Sequence, residues 1–250
     1  MTSAFKNVQA VYEKLGSEEP FWAVLSNRRY KRDVVDQQAF FDTGQHEISE
    51  LIGRIEKQKI ELPRGRALDF GCGVGRLTNA LATHFDEVVG VDISKTMVEN
   101  ANQLCQHDNC RFVVNTQPDL SIFPDAHFDF VYSNITLQHI PMPASQTYVE
   151  EFLRIIKPDG LIVFLIPDGK DRPADSLASR MLTHYRENIR PLYKRLRGKY
   201  PVQIHPIARQ QVEQIVQSQH GQIFHTNIAE GFEQKKRKFK PIFYWVKRAA

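Results

Sequence analysis

The sequence has little cysteine and no long apolar run. Its three cysteines, Cys72, Cys105 and Cys110, form an odd set without a C-x-x-C pair, which favours free thiols in a reducing compartment over a disulfide framework or a zinc site. No apolar stretch approaches the ~20 residues of a membrane-spanning helix, and the N-terminus lacks a continuous apolar signal region. We therefore expect a cytoplasmic protein that is not exported, with no membrane span and no metal.

An excess of charge of one sign is also missing. The 250 residues include 33 Lys and Arg against 29 Asp and Glu, and the formal net charge of +4 argues neither for nor against nucleic acid. Internal repeats and low-complexity tracts are absent from the sequence. Hydrophobic residues make up 42% and charged residues 25%, as in folded globular proteins, so a chain of this length can bury an ample core.

Glycine is concentrated at one informative place. Gly71, Gly73 and Gly75 stand at every second position, directly after a short apolar run. An amphipathic segment follows at once, which predicts a strand, a tight turn and a helix at the carboxyl end of a parallel strand. The spacing differs from the G-x-G-x-x-G of dinucleotide sites, in which a pyrophosphate lies on the helix N-terminus.

Two acids flank this glycine turn. Asp69 stands two residues before the first glycine, and Asp92 ends the next apolar run. A carboxylate at the first position suits a cation, and an acid at the end of the second strand suits a ribose diol. Together these features describe a pocket for an adenosyl group with a positively charged, amino-bearing tail, such as S-adenosylmethionine.

On these residues the sequence resembles the class I S-adenosylmethionine-dependent methyltransferases. The stretch L-D-F-G-C-G-V-G-R-L is similar to the first motif of that family and V-V-G-V-D-I-S to its second, and the resemblance covers roughly residues 68–167. It implies an α/β, doubly wound, seven-stranded and mostly parallel sheet whose last hairpin strand is antiparallel. It also implies S-adenosyl-L-methionine as cofactor and S-adenosyl-L-homocysteine as product.

The resemblance and the residue types together predict the cofactor contacts. Cys72 is a small filler in the glycine turn, and Met97 either flanks the adenine or packs in the core. The adenine contact stays open, because this chain has Asn115-Thr116-Gln117 where many family members carry an acid after the third strand. The predicted cofactor-binding residues are Asp69, Gly71, Cys72, Gly73, Gly75, Asp92, Ile93, Met97, Gln117, Asp119, Leu120 and Asn134.

The loop after the fourth strand, N-I-T-L-Q-H-I-P, faces the methyl group in folds of this kind. It lacks the Pro-Pro of enzymes that methylate the exocyclic nitrogens of bases, which weighs against that activity. His139 is a candidate general base, because imidazole accepts a proton near neutral pH, and the alternative is a structural histidine bonded to backbone. The predicted acceptor-site residues are Tyr30, Gln138, His139 and Tyr185.

The flanking segments predict a division into parts. Residues 1–45 are expected to form an N-terminal helical cap, and residues 46–250 a Rossmann-like methyltransferase domain with a helical insertion at about 168–206. We expect the first helix to end at Gly16, and Thr43 to cap the helix that precedes the first strand.

The insertion is basic, either as a solvated face or as a surface that attracts an anionic acceptor. The basic run 235–240 is expected at the tip of a late hairpin.

The reaction we expect is transfer of the sulfonium methyl group to an O, N or C nucleophile of a small-molecule acceptor. The basic insertion would allow this acceptor to be anionic. One alternative is an RNA methyltransferase, which the mild net charge and the missing Pro-Pro argue against. A second is an NAD-dependent oxidoreductase, disfavoured by the glycine spacing and by the lack of a Tyr-x-x-x-Lys pair. The third is a non-catalytic protein that binds S-adenosylmethionine.

Overall fold

A computed structural model of the chain describes residues 3–169, 202–229 and 240–248. The strands are β1 Arg66–Phe70, β2 Glu87–Asp92, β3 Cys110–Val114, β4 Phe128–Ser133, β5 Ile156–Asp168, β6 Gly221–Ile228 and β7 Lys240–Arg248. The α-helices in these ranges are α1 Ser3–Glu18, α2 Pro20–Val24, α3 Gln37–Lys57, α4 Arg76–Leu81, α5 Lys95–Leu104, α6 Ala144–Ile155 and α7 Arg209–Ser218. Two short 3₁₀ turns span Arg28–Tyr30 and Leu137–His139.

The seven strands form one sheet in the order β3-β2-β1-β4-β5-β7-β6. The pairs from β3 through to β5 are parallel, whereas β7 lies antiparallel between β5 and β6. This arrangement confirms the predicted seven-stranded, mostly parallel sheet with an antiparallel last strand. The strand order reverses between β1 and β4, and a crevice at the carboxyl ends of such strands is the usual ligand site of an open α/β sheet.

Helices cover both faces of the sheet, as buried central strands require. All six residues of β4 are buried. One core cluster joins α6 and α7 to one face, and a second joins α3 and α4 to the other. A third cluster packs α1, α2 and the start of α3 against Val74 and Met97, over the carboxyl edge of the sheet. The N-terminal helices therefore lie beside the expected site.

Two helix boundaries differ from the prediction. Helix α1 continues past Gly16 to Glu18, and Gly16 allows it to lie close to α5, since a Cβ there would sit 3.2 Å from the backbone nitrogen of Met97. Helix α3 begins after Asp36, whose carboxylate accepts the Ala39 N–H at 3.0 Å. The expectation that Thr43 caps this helix is wrong, since its hydroxyl bonds to the carbonyl of Phe40 inside the helix.

The division into domains stays a prediction. The boundary drawn between residues 45 and 46 falls inside α3. Most of the predicted insertion at about 168–206, and the basic run 235–240 apart from Lys240, lie outside the described residues. Among the helices that the structure describes, none is both long and apolar enough to cross a bilayer.

Candidate functional site

The glycine turn joins β1 to α4 and forms one wall of a pocket. Gly71 and Gly73 have φ of +80° and +54°, in the left-handed region that favours glycine. A Cβ on Gly71 would lie 2.1 Å from the Thr136 hydroxyl oxygen, and one on Gly73 would lie 2.6 Å from Val24. The turn is fixed to the neighbouring strand, because the N–H groups of Gly71 and Cys72 both donate to the carbonyl of Val91. Only glycine fits these two positions.

Asp92 lies at the end of β2, across from the turn. Its carboxylate accepts the Gly73 N–H and the Ser94 N–H, each at 2.9 Å. Burial raises the pKa of Asp92, while these hydrogen bonds act in the opposite direction. A carboxylate has about four lone-pair sites, so two backbone donors leave it able to accept further hydrogen bonds from a ligand.

The rest of this pocket is apolar, with a few amides. Ile93 and Met97 follow Asp92 on one side, and Asn115 closes the end beyond β3. The N-terminal helices contribute the opposite wall, where Tyr12 and Val24 line a cavity of about 90 Å³.

Helix α1 is held in place by Glu13. Its carboxylate accepts hydrogen bonds from the Ser94 hydroxyl at 2.8 Å and from the Thr96 N–H at 3.2 Å, and it also contacts the Thr96 hydroxyl. These groups belong to the N-terminus of α5, where backbone N–H groups favour a negative charge. The contact ties α1, which carries Tyr12, to the segment that follows Asp92.

Six of the predicted cofactor residues line this pocket: Gly71, Gly73, Asp92, Ile93, Met97 and Asn134. The other six are placed behind or beside it. Asp69 is 1% exposed beneath the turn and accepts the Thr78 hydroxyl at 2.6 Å. Burial raises the pKa of this carboxyl to about 7. Gly75 is the N-cap of α4, and the Cys72 thiol is buried.

The predicted adenine contacts after β3 lie outside the pocket lining. The Gln117 carbonyl accepts the Tyr148 hydroxyl at 2.6 Å, and Asp119 bonds to Ser121 next to it. Leu120 is fully buried in the core. Asn115 stands in the lining instead, with its amide donating to the Asp119 carbonyl. The sequence signal for Asn115 was its position directly after the third strand.

The loop after β4 separates this pocket from a second, larger cleft. Asn134 and Ile135 line both spaces. Ile135 has φ of +59°, which is rare for a β-branched residue and typical of strained functional positions. The unfavourable backbone conformation of Ile135 indicates that contacts with the surrounding protein hold the loop in this shape.

His139 also lines both spaces. Its Nδ1 lies 2.6 Å from the Gln203 carbonyl oxygen, which can only accept, so Nδ1 carries the proton. Its Nε2 lies 3.0 Å from the Gln138 amide nitrogen and is therefore the acceptor. Burial lowers the pKa of His139 to about 4. The ring is neutral at pH 7, with its lone pair on the side of Gln138.

The larger cleft has a volume of about 870 Å³ and lies over β4, β5 and β7. Tyr30, Gln138 and His139, all predicted acceptor-site residues, line it, whereas Tyr185 lies outside the described residues. The prediction missed Glu47, Arg76 and Tyr132. Thr43, which the sequence analysis placed on the helix before the first strand, lies one helical turn before Glu47 on α3, and this position was the available signal.

The residues of the smaller pocket fit an adenosyl group with a sulfonium tail. A bare glycine turn, a carboxylate with free acceptor positions and apolar side chains stand together, and the buried Asp69 lies beneath the turn. Among the described residues no group of three or more His, Cys, Asp or Glu side chains is arranged to hold a metal ion.

Comparisons with known proteins agree with this geometry. Residues 68–164 match the model of a family described as a methyltransferase domain. Over 105 residues the chain is 38% identical to a 2-methyl-6-phytyl-1,4-hydroquinone methyltransferase of Synechocystis, covering 41% of this chain and 32% of that protein. Over 109 residues it is 32% identical to a ubiquinone biosynthesis O-methyltransferase of Coxiella burnetii, covering 43% of this chain and 46% of that one. The matched part spans less than half of either relative.

Solved structures agree over a longer stretch at lower identity. A magnesium protoporphyrin IX methyltransferase of Synechocystis with bound S-adenosylhomocysteine superposes with a TM-score of 0.63 at 20% identity, covering 99% of this chain and 100% of that one. An S-adenosylmethionine-dependent methyltransferase of Leishmania major gives 0.68 at 13% identity, covering 98% and 83%. At these identities the agreement shows the fold alone.

Proposed function

We propose that the protein is an enzyme that methylates a small molecule, because residues 68–164 match the model of a methyltransferase-domain family and the chain has the fold of class I S-adenosylmethionine-dependent methyltransferases. It binds S-adenosyl-L-methionine in the smaller pocket and an acceptor in the larger cleft. The methyl group passes to an O, N or C nucleophile of that acceptor, and S-adenosyl-L-homocysteine is the product.

One observation carries this proposal: the Asp92 carboxylate is held at the mouth of the glycine turn by the Gly73 and Ser94 N–H groups. A carboxylate fixed there accepts hydrogen bonds from a ribose diol. It also occupies the Gly73 N–H, which a pyrophosphate would otherwise use. The site therefore favours an adenosyl group over a dinucleotide, which argues against an NAD-dependent oxidoreductase.

The other residues have separate roles. S-adenosylmethionine, when bound, supplies a methyl group on a positively charged sulfur. Ile93 and Met97 pack on the adenine, and a positively charged tail above Asp69 favours the ionised form of this carboxyl, whose pKa burial raises to about 7. The loop at Asn134 and Ile135 separates donor from acceptor, so most of the catalysis comes from holding the two in line, which can be worth on the order of 7–11 kcal/mol.

His139 is the candidate for the group that takes up the proton lost by the acceptor. Its Nε2 carries the lone pair and lies at the boundary between the two spaces, with the ring held by the Gln203 carbonyl. Gln138 must release this nitrogen when the acceptor binds. The low pKa of His139 makes it a weak base, which suits an acceptor whose proton is released late in the reaction.

The first prediction concerns Asp92. The Asp92→Asn variant should bind S-adenosyl-L-homocysteine about tenfold to a hundredfold more weakly, because it loses charged hydrogen bonds to the ribose. Isothermal titration calorimetry measures this. The matched control is Asp86→Asn, which changes an exposed acid before the other end of the same strand and should leave the affinity unchanged. Equal affinities for wild type and Asp92→Asn would remove Asp92 from the site and this proposal with it.

A further inference from the structure

The segment 202–207 lies at the carboxyl edge of the sheet, between β5 and the loop after β4. At one end, the Ile207 N–H donates to the Pro167 carbonyl at 3.1 Å, and the Ile207 carbonyl accepts the Gly169 N–H at 3.1 Å. The Ile207 side chain is buried in the core cluster that contains α6 and α7. This end of the segment is therefore fixed to the end of β5.

The middle of the segment pairs with the 3₁₀ turn Leu137–His139. The His205 N–H donates to the Gln138 carbonyl at 2.7 Å, and His139 Nδ1 lies 2.6 Å from the Gln203 carbonyl oxygen. Two neighbouring residues of the turn are thus bonded to alternate residues of the segment. The segment uses only backbone groups in these bonds, so its backbone conformation decides where the Gln203 carbonyl points.

This pairing determines which nitrogen of His139 carries the proton. The Gln203 carbonyl only accepts, so it selects the tautomer with the proton on Nδ1 and the lone pair on Nε2. In the opposite tautomer Nε2 would carry the proton, and the neutral ring could not take up another proton there. The group that makes this selection is 64 positions from His139 along the chain.

The same segment forms part of the acceptor cleft. Val202 and Ile204 line the cleft, and Val202 also packs against the cluster of N-terminal helices. His139 lines the cleft and the cofactor pocket alike. One short segment therefore contributes both to the wall that an acceptor meets and to the orientation of the nitrogen beside it.

Resting on the function proposed above, we propose that the segment 202–207 positions His139 for methyl transfer. The Gln203 carbonyl holds the proton on Nδ1, and the His205 N–H holds that carbonyl in place by binding the neighbouring Gln138. The segment acts through His139 and does not itself take up the proton. A role in folding alone would change the stability of the protein and leave the ratio of the two His139 tautomers unchanged.

Nitrogen-15 NMR of the histidine rings tests the proposal, because a ring nitrogen that carries a proton differs in chemical shift from one that carries a lone pair. The protein is labelled with nitrogen-15 histidine and saturated with S-adenosylhomocysteine. A spectrum of His139→Gln identifies the His139 signals among those of the nine histidines. At about pH 7.5 His139 and His205 are neutral, since burial lowers the pKa of both. We expect the wild-type proton on Nδ1.

His205→Pro removes the N–H that reaches Gln138. It should raise the share of the tautomer with the proton on Nε2 about tenfold, which corresponds to the loss of one hydrogen bond. The matched control is His205→Ala, which removes the imidazole but keeps the N–H and should retain the wild-type ratio. Gln138→Ala removes the amide that faces Nε2 and should also keep the proton on Nδ1, because the Gln203 carbonyl remains.

A second pair of variants leaves every backbone donor in place. Ile207→Ala loosens the end of the segment on β5 and should shift the tautomers in the same direction as His205→Pro. Its control is Ile215→Ala, which removes a buried side chain of α7 from the same core cluster and should leave the ratio unchanged. Retained S-adenosylhomocysteine binding shows that each variant is folded.

The outcomes distinguish this inference from the function on which it rests. A wild-type proton on Nε2 would overturn the inference, and so would an unchanged ratio in the folded variants of the segment. In both cases the methyltransferase proposal stands. If S-adenosylhomocysteine does not bind to the wild-type protein, the proposed function itself fails.

Discussion

At the scale of single residues, burial sets the protonation of two groups near the site. It lowers the pKa of His139 to about 4 and raises the pKa of Asp69 to about 7. The His139 ring is therefore neutral over the physiological range, while Asp69 loses its proton close to neutral pH. Both shifts follow from the cost of placing a charge where water is excluded.

His139→Gln should make the protein less sensitive to acid. The unfolded histidine is protonated below its ordinary pKa of 6.5, whereas the folded one stays neutral down to about pH 4. Between these two pH values the unfolded state binds more protons, so the free energy of unfolding decreases as the pH is lowered. The loss from His139 is about 2 kcal/mol on going from about pH 7 to about pH 5. Asp69, with its raised pKa, acts in the opposite direction in both proteins and cancels from the comparison.

Urea unfolding of wild type and variant at these two pH values measures the effect. The control is His46→Gln, because the His46 side chain is 77% exposed. If wild type and His139→Gln lose equal stability on acidification, the burial of a neutral His139 is refuted.

The order of residues in the sequence predicted which strand ends carry the site, but not how deep each side chain lies. Asp92 and Asp69 both stand near the ends of parallel strands. Asp92 reaches the pocket, whereas Asp69 turns towards the hydroxyl of Thr78 under the glycine turn. The orientation of the Asp69 side chain depends on Thr78, which lies nine residues later on the next helix. The hydrophobic periodicity of the sequence gives no information about this contact.

At the scale of elements, the contact between α3 and α4 sets the position of the acceptor cleft. Gly44 lies against the start of α4, where a Cβ would sit 2.5 Å from the Arg76 carbonyl oxygen. Glu47, one turn later on α3, bonds to the Arg76 side chain. Close approach at Gly44 therefore brings the Glu47 carboxylate into the wall of the cleft.

Two glycine-to-alanine changes on the same helix should have opposite effects. Gly44→Ala should destabilise the protein by about 1–3 kcal/mol, because the contacted atom is backbone and cannot move aside easily. Gly53→Ala, where no atom lies within 4 Å of the added Cβ, should stabilise it by about 0.5–1 kcal/mol through helix propensity. Thermal and urea unfolding measure both. Equal effects of the two changes would contradict the close packing of α3 on α4.

The elements themselves followed from the sequence more readily than their ends. The strands of the late hairpin predicted around the basic run 235–240 correspond to β6 and β7. The predicted cap at Thr43 was wrong, because a second residue, Asp36, offered the same capping chemistry earlier in the chain. Local capping signals alone do not choose between two such residues.

At the scale of the whole molecule, the acceptor cleft is made by segments far apart in the sequence. Tyr12 comes from the first helix, Glu47 from the third, Asn134 from the loop after β4 and Trp245 from the last strand. A motif search finds the cofactor pocket because its parts are close together along the chain. The cleft becomes visible only when the sheet order brings β7 beside β5.

The most direct test of the account is a crystal structure of the protein with S-adenosylhomocysteine. We predict the ribose hydroxyls within hydrogen-bond distance of the Asp92 carboxylate, the adenine against Ile93 and Met97, and the sulfur facing the loop at Asn134. A ligand bound elsewhere, or a ribose that does not reach Asp92, would contradict the central claim that this glycine turn and carboxylate form the cofactor site.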